Sequence, residues 1–343
     1  MPKTATHWEL KAGNIANLRR QRTSLPEPQA NEVTVSIRAI GLNFADVFAI
    51  WGLYSATPKG IFTPGLEYAG VIEAVGNKVT SVQPGDRVMG ITRFGAYTDT
   101  LNIDANYVIA LPAEWTFDEG ASYLVQALTA YYGLAKLGDL QYGQTVLIHS
   151  AAGGVGTYAN RIAKKFDAFT IGTIGSSNKL AYLQREGYDA AIIRGADFAE
   201  QLREKLAGRE LHVIMECIGG EIFRIGYEAL APMGRSVVYG SARYASRRDK
   251  PNMINLLWKY LRRPKIDPQK MIELNRAVLG FNLIYLYDRT ALMYELLAEM
   301  QDLELGKPIV GHRFVFAELP EAVRTLQAGK TMGKVVVQIE PIT

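Results

Sequence analysis

The sequence predicts an α/β fold in which a doubly wound parallel sheet is inserted into a β-rich partner. Three observations carry this reading. The run Val146-Leu-Ile-His-Ser-Ala-Ala-Gly-Gly-Val-Gly-Thr157 reads as a buried strand passing through a glycine turn into a helix. Strand and helix patterns then alternate up to residue 285. Residues 1–115 hold instead a series of short β-type runs, and a further one, Lys334-Val-Val-Val-Gln-Ile339, closes the chain. At 343 residues the chain exceeds one ordinary core and calls for about two domains.

In the first segment, Val33-Thr-Val-Ser-Ile-Arg-Ala-Ile40, Tyr68 to Val75 and Arg87 to Ile91 are separated by Pro-Gly turns at 64–65 and 84–85. Thr116-Phe-Asp-Glu119 has the form of a capping box, so a helix starts there and runs to about Lys136, leading into the second unit. Strands are expected at 145–150, 168–174, 190–193, 211–216, 234–239 and 279–285, with helices at 154–165, 178–187, 196–207 and 220–230. Such alternation implies a parallel, Rossmann-type sheet. Past Tyr287 the pattern becomes helix, strand, helix, strand, and this tail is expected to return to the first unit. The Rossmann unit is thus placed at 123–269 and the β-rich domain at 1–122 and 270–343, with a ligand cleft between them.

The glycine turn is a cofactor address. Gly153 lets backbone amides approach a pyrophosphate, Gly156 lets the helix sit close against the sheet, and the helix N-terminus points at the phosphates. Ala152, Gly153, Gly154 and Val155 are therefore candidate dinucleotide contacts; Ala151 stands where the usual pattern has its first glycine. An NAD site places an acidic residue about 20 positions past this turn. Here the second strand ends Ile174-Gly-Ser-Ser-Asn-Lys179, without a carboxylate. Ser176 and Lys179 offer a donor and a positive charge to a 2′-phosphate, which favours NADPH. The alternative is that Lys179 is an ordinary solvated charge.

With 48% hydrophobic and 21% charged residues, the chain falls outside the disordered range. Met1 to Glu9 hold no apolar core of a secretory signal, and no stretch approaches the ~18 apolar residues of a membrane span. A cytoplasmic location is the expectation. The single cysteine, Cys217, excludes an intrachain disulfide and a thiolate zinc cage, and His7, His149, His212 and His312 lack ligand spacing.

Several blocks together resemble the medium-chain dehydrogenase/reductase superfamily, in particular its zinc-free quinone oxidoreductase (zeta-crystallin-like) branch. They are Gly41-Leu-Asn-Phe-Ala-Asp46, Pro64-Gly-Leu-Glu-Tyr-Ala-Gly-Val71, Val82-Gln-Pro-Gly-Asp-Arg-Val88, Gln126-Ala-Leu-Thr-Ala-Tyr-Tyr132, the turn at 151–156 and Met332-Gly-Lys-Val335. Pro232-Met-Gly-Arg-Ser-Val-Val-Tyr-Gly240 and Asn275-Arg-Ala-Val-Leu-Gly-Phe-Asn282 resemble the synaptic vesicle amine-transport membrane protein subgroup. The resemblance implies a GroES-like fold for the β-rich domain, a homodimer, and NADPH-dependent hydride transfer to quinones or other conjugated carbonyls such as enones and alkenals.

Zinc members of that superfamily place a Cys where Asn43 stands and a His where Leu66 stands, so no metal is expected here. By resemblance, Asn43 approaches the nicotinamide ribose, Thr129 sits near the nicotinamide, Gly240 and Ser241 line the far side of the cofactor, and Lys334 reaches back from the tail to the cofactor; the alternatives are that Asn43 caps a turn and Thr129 packs in its helix. The family has a lysine at Lys179 and often a tyrosine where this chain has Arg194. An arginine there could bind the 2′-phosphate bidentately, stack on the adenine, or remain a surface charge. The family's tyrosine near the substrate appears here as Phe48. Tyr54 then becomes the candidate to hydrogen-bond a substrate oxygen, the alternative being an aromatic cleft wall.

The segment 243–265 holds eight Lys or Arg residues and one acid, Asp249, so its balance of +7 exceeds the +4 of the whole chain. Within it Met253, Leu256, Leu257, Tyr260 and Leu261 recur at helical spacing. Such a helix could lie on an anionic membrane surface, which opens a second reading as a cofactor-binding, membrane-associated adaptor with little or no turnover. The favoured expectation is that its apolar face packs against the body near the cleft, since globular helices bury theirs. Nothing in the segment forms a nucleic-acid binding module, and no nucleic-acid partner is expected.

Overall fold

The computed structural model describes residues 3–340. Residues 1, 2 and 341–343, at the ends of the two expected β-rich segments, lie outside the described residues.

Six parallel strands form the inner sheet in the order Ala190–Ile193, Phe169–Ile174, Thr145–Ile148, Leu211–Glu216, Leu230–Val238, Ala277–Gly280. The chain enters at the middle strand, winds to one edge, then crosses back and winds to the other. The strand order reverses between Thr145–Ile148 and Leu211–Glu216, and a crevice opens above their carboxyl ends. All four residues of Thr145–Ile148 are buried, because helices cover both faces of a parallel sheet; this is why the strand reads as an unbroken apolar run.

Ala190–Ile193, Leu211–Glu216 and the Gly154–Lys165 helix coincide with their expected spans. The last strand does not. It covers Ala277–Gly280, earlier than the expected 279–285, and the chain then turns through Leu283–Leu286. Since Ala277–Gly280 pairs with Leu230–Val238, the parallel unit extends past residue 270, and that boundary is corrected to lie beyond Gly280.

The β-rich domain is a sheet ordered Val310–Val315, Lys334–Gln338, Glu32–Leu42, Glu67–Val75, Arg87–Ile91, Val108–Ala110, with Thr100–Asp104 also paired to Glu32–Leu42. Lys334–Gln338 lies antiparallel to Glu32–Leu42, so the tail does return to the N-terminal domain. That return brings Lys334 beside Leu42 and Asn43.

The connection at 117–137 is interrupted. Thr116 and Glu119 form the expected reciprocal cap, with Thr116 N–Glu119 Oε2 2.7 Å and Glu119 N–Thr116 Oγ1 3.2 Å. The helix nevertheless stops at Gly120 and resumes at Leu124–Tyr131, followed by a π-type turn at Tyr132–Leu137. At the break the Ala121 carbonyl packs on Gly41, where a Cβ would fall 1.7 Å from its oxygen. The restart aims the Val125 amide at Glu67 Oε2, 3.2 Å away, and places Gln126 and Thr129 on the cleft side. Among the described residues no helix is long and apolar enough to cross a membrane.

Candidate active site

A cleft of about 1040 Å³ lies between the two domains at the strand-order reversal. Ala152, Gly153, Gly154, Val155, Lys179, Arg194, Gly240, Ser241, Asn43, Thr129, Lys334 and Tyr54 all line it, so one surface gathers twelve of the thirteen expected site residues. Ser176 is the exception. It is exposed at the rim, and its hydroxyl donates to Asn178 Oδ1 at 2.5 Å.

The glycine turn has the geometry its sequence implies. Ser150 takes a positive φ of 52°, and the Gly154–Lys165 helix starts at Gly153 with no side chain capping it. Its first amides therefore face the cleft without a local acceptor, an arrangement suited to an anion. A Cβ at Gly156 would stand 2.7 Å from backbone atoms of Ser150 and Ala151, which explains why that position must be glycine.

Beyond the turn lie the two expected phosphate cations, and they differ. Lys179 Nζ donates to Gly329 O and Thr331 O, both at 2.9 Å, tying the Rossmann unit to the tail of the β-rich domain. Burial, and then the neighbouring Arg194 charge, push its pKa down. Two of its three donors are thus spent on the protein. Arg194, which lines the cleft, donates from Nη1 to Thr173 O at 3.0 Å and to Thr173 Oγ1 at 2.9 Å, whereas Nη2 and Nε have no hydrogen-bond partner among the described residues; burial pushes its pKa down.

This anchor is part of a buried chain. Arginine only donates, so Thr173 Oγ1 accepts from Arg194; the same oxygen lies 2.8 Å from His149 Nδ1. His149 Nε2 in turn lies 3.2 Å from Glu216 Oε2. Burial would raise the Glu216 carboxyl, but His149 and the amides of Gly219 and Ile218 outweigh it and hold the group below its ordinary range. Cys217 lines the cleft with its thiol pushed up by burial, so it is not a thiolate nucleophile.

At the opposite end lies a second buried network. Lys334 Nζ donates to Leu42 O at 2.8 Å, to Asn43 Oδ1 at 3.1 Å and to Glu67 Oε1. All three ammonium donors are used within the protein, so Lys334, which lines the cleft, fixes its floor. Asn43 is similarly committed: its Oδ1 accepts from Gln126 Nε2 at 2.5 Å as well as from Lys334, and its Nδ2 donates to Glu67 Oε1 at 2.9 Å. Asn43 therefore contributes a cleft surface and leaves no free group for catalysis. Thr129 and Ser241 are the expected contacts whose hydroxyls have no hydrogen-bond partner among the described residues.

Tyr54 also differs from expectation. Its hydroxyl donates to Asn282 Oδ1 at 2.6 Å, and desolvation raises its pKa to about 12, so the phenol stays protonated but its proton is already committed.

Sequence reasoning assigned no role to Glu67, Gln126 or Asn282. All three stand in the blocks quoted above, and the usable signal was a polar residue within an otherwise apolar run.

The helix Met253–Leu261 does not bury its apolar face, contrary to the favoured expectation. Leu256 and Tyr260 touch the cleft, and Lys259 Nζ donates to Arg243 O, while Met253, Ile254, Leu257, Trp258 and Leu261 remain more than half exposed. The helix is held by one edge, which leaves its hydrophobic stripe uncovered. Arg262 stacks over Trp258 at 4.4 Å and Arg263 over Tyr260 at 3.8 Å.

Two family models match the chain: an alcohol dehydrogenase GroES-like domain over residues 29–113 and a zinc-binding dehydrogenase domain over 154–298. The human synaptic vesicle membrane protein VAT-1 homolog is 33% identical over 314 residues, covering 90% of this chain and 79% of that protein. The zebrafish protein of the same name is 32% identical, and the match covers 92% of this chain and 66% of that longer relative. Among solved structures, a mycobacterial protein complexed with NADPH superposes with a TM-score of 0.84 at 27% identity, covering 97% of this chain and 99% of that one. A Pseudomonas syringae quinone oxidoreductase gives 0.83 at 26% identity, covering 97% and 99%. With the strand order, the glycine turn and the interdomain cleft in place, these similarities assign the chain to the medium-chain dehydrogenase/reductase superfamily, in the quinone oxidoreductase-like group that includes the VAT-1 homologues.

Proposed function

We propose that this protein is an NADPH-dependent, zinc-independent reductase that transfers hydride to quinones or other conjugated carbonyls. The observation that carries the reading is the cleft itself. It places the uncapped helix N-terminus and the free N–H groups of Arg194 at one end and the largely apolar walls of Phe44, Phe48, Leu53, Leu66 and Phe281 at the other. The first end suits a dinucleotide 2′-phosphate and pyrophosphate, and the absence of a carboxylate at 174–179 favours NADPH over NADH. The second suits a flat, conjugated substrate.

Reduced nicotinamide supplies the hydride when bound, so no protein nucleophile is required. This chain's residues bind, position and exclude water. Thr129, Gly240 and Ser241 form the wall for the nicotinamide, and the buried Lys334–Glu67–Asn43–Gln126 network keeps that wall rigid. The zinc that the matched domain model is named for does not suit these residues. Asn43 and Leu66 provide neither thiolate nor imidazole, and the Lys334 ammonium already occupies the oxygens of Asn43 and Glu67. Steady-state oxidation of NADPH with an ortho-quinone and an enone tests the reading. Turnover with NADPH, and weaker turnover with NADH, is expected; binding of NADPH without oxidation would contradict it.

The uncovered face of Met253–Leu261 supports a second reading, a cofactor-binding protein that associates with an anionic membrane surface. An exposed stripe of Ile254, Leu257, Trp258 and Leu261, flanked by the exposed Arg247 and Arg248, has the chemistry of an interfacial helix. Sedimentation with phosphatidylserine vesicles, abolished by Arg247→Glu with Arg248→Glu, would favour it; equal recovery with and without vesicles would remove it.

A further inference from the structure

The contact between Tyr54 and Asn282 joins residues 228 apart in sequence and closes one end of the cleft. Asn282 follows the edge strand of the parallel sheet. Gly280 of that strand sits opposite Val238, and two residues beyond each of them Asn282 and Gly240 both line the cleft, Gly240 on the wall assigned above to the nicotinamide. A second tie, Tyr285 Oη to Ser55 Oγ at 3.0 Å, fixes the same two segments to each other.

The donor inventory of this pair is informative. Tyr54 gives its hydrogen to Asn282 Oδ1, and that orients the amide. Asn282 Nδ2, with two N–H groups, has no hydrogen-bond partner among the described residues, and the side chain lines the cleft. The lining also includes the apolar side chains of Phe48, Leu53, Phe281, Leu283 and Ile284, which offer a carbonyl oxygen no donor, and the hydroxyls of Ser55 and Tyr287. A directed pair of N–H groups in a largely apolar wall is the arrangement that stabilises charge developing on an oxygen.

We propose that the side-chain amide of Asn282 hydrogen-bonds the carbonyl oxygen of the substrate, and that Tyr54 is a positioning residue that holds this amide in place. The proposal rests on the reductase reading for its kinetic consequence. It restricts the substrate to molecules whose acceptor oxygen lies within reach of the nicotinamide wall, and it needs no protein acid at that oxygen.

The test compares Asn282→Leu and Tyr54→Phe with the parent protein in two assays. In turnover of NADPH with 2-cyclohexenone, Asn282→Leu is expected to lower kcat/KM on the order of 100-fold, the usual effect of removing one such donor. Tyr54→Phe is expected to lower it by less, chiefly through KM. NADPH affinity should stay at the parent value in both variants, which separates the effect from a damaged cofactor site. In the second assay 2-cyclohexenone is titrated into the NADP⁺ complex, which cannot reduce it. A loss of tenfold or more in affinity for Asn282→Leu supports the proposal even if no turnover is found and the reductase reading falls. Unchanged affinity in Asn282→Leu, no binding by the parent complex, or a loss in Tyr54→Phe as large as in Asn282→Leu would each overturn it.

Discussion

Arg194, a residue of the cleft lining, is anchored to Thr173 twice, through the carbonyl oxygen at 3.0 Å and through Oγ1 at 2.9 Å, and its Nη2 and Nε keep no hydrogen-bond partner among the described residues. Lys179, the other cation at that end, is engaged by Gly329 and Thr331. On the proposed reading, Arg194 has more unpaired donors to offer a 2′-phosphate than Lys179, which keeps one. Arg194→Ala should weaken NADPH roughly 10- to 100-fold, the worth of about 1.5–3 kcal/mol for hydrogen bonds to a charged group, and leave NADH within about twofold. Thr173→Val should show the same selectivity at smaller size. Fluorescence titration with each cofactor measures both; an equal loss for NADPH and NADH would place the 2′-phosphate elsewhere.

Gly153 borders the cleft with an ordinary φ of −91°, and a Cβ there would meet only Ser150 O, at 3.2 Å. The fold can accept a side chain, but its methyl groups would stand where the helix amides converge. Gly153→Val is expected to melt close to the parent and to bind NADPH more than about tenfold more weakly. Retained affinity in calorimetric titration would show that the phosphates lie away from this turn.

The Lys334–Glu67 pair is buried on both sides, with side chains 5% and 1% exposed. Removing one partner strands a charge in a low-dielectric site. Lys334→Met is expected to destabilise the protein by about 3–5 kcal/mol. Combining it with Glu67→Gln should recover a large part of that loss, because the uncompensated carboxylate is gone. Urea unfolding of the single and double variants decides this; additive losses would mean that the two groups do not act as a pair.

Asp46 is fully buried next to Asn43, and desolvation, partly offset by the Asn43 amide, raises its carboxyl pKa to about 7. The unfolded chain titrates near ~3.9. Between those values the folded state binds the extra proton, so this group's contribution to stability is largest below about 4, falls as the pH rises to about 7, and is constant above. Asp46→Asn removes this dependence. The variant's unfolding midpoint relative to the parent should therefore rise from pH 4 to pH 7; a constant difference would contradict a raised Asp46.

The sequence expressed the backbone plan better than the side-chain partnerships. The Gly154–Lys165 helix and the strands Ala190–Ile193 and Leu211–Glu216 were legible to the residue because glycine turns and unbroken apolar runs mark their ends. The strand at Ala277–Gly280 was harder, since the apolar run continues through Phe281 to Ile284 after pairing stops. Lys179 and Lys334, expected at the cofactor, both line the cleft, and their acceptors include the carbonyls of Gly329, Thr331 and Leu42; backbone oxygens leave no signature in a residue pattern. Periodicity located the apolar stripe of Met253–Leu261 and was silent on whether anything covers it.

The central claim is hydride transfer from NADPH within the interdomain cleft. Its most direct test is a single turnover in which the protein is loaded with NADPH deuterated on the transferable position and mixed with 2-cyclohexenone. The account predicts NADPH consumption equal to product formed, with the deuterium on the β-carbon of the saturated ketone. Bound NADPH that persists unoxidised, or a product lacking the label, would contradict it.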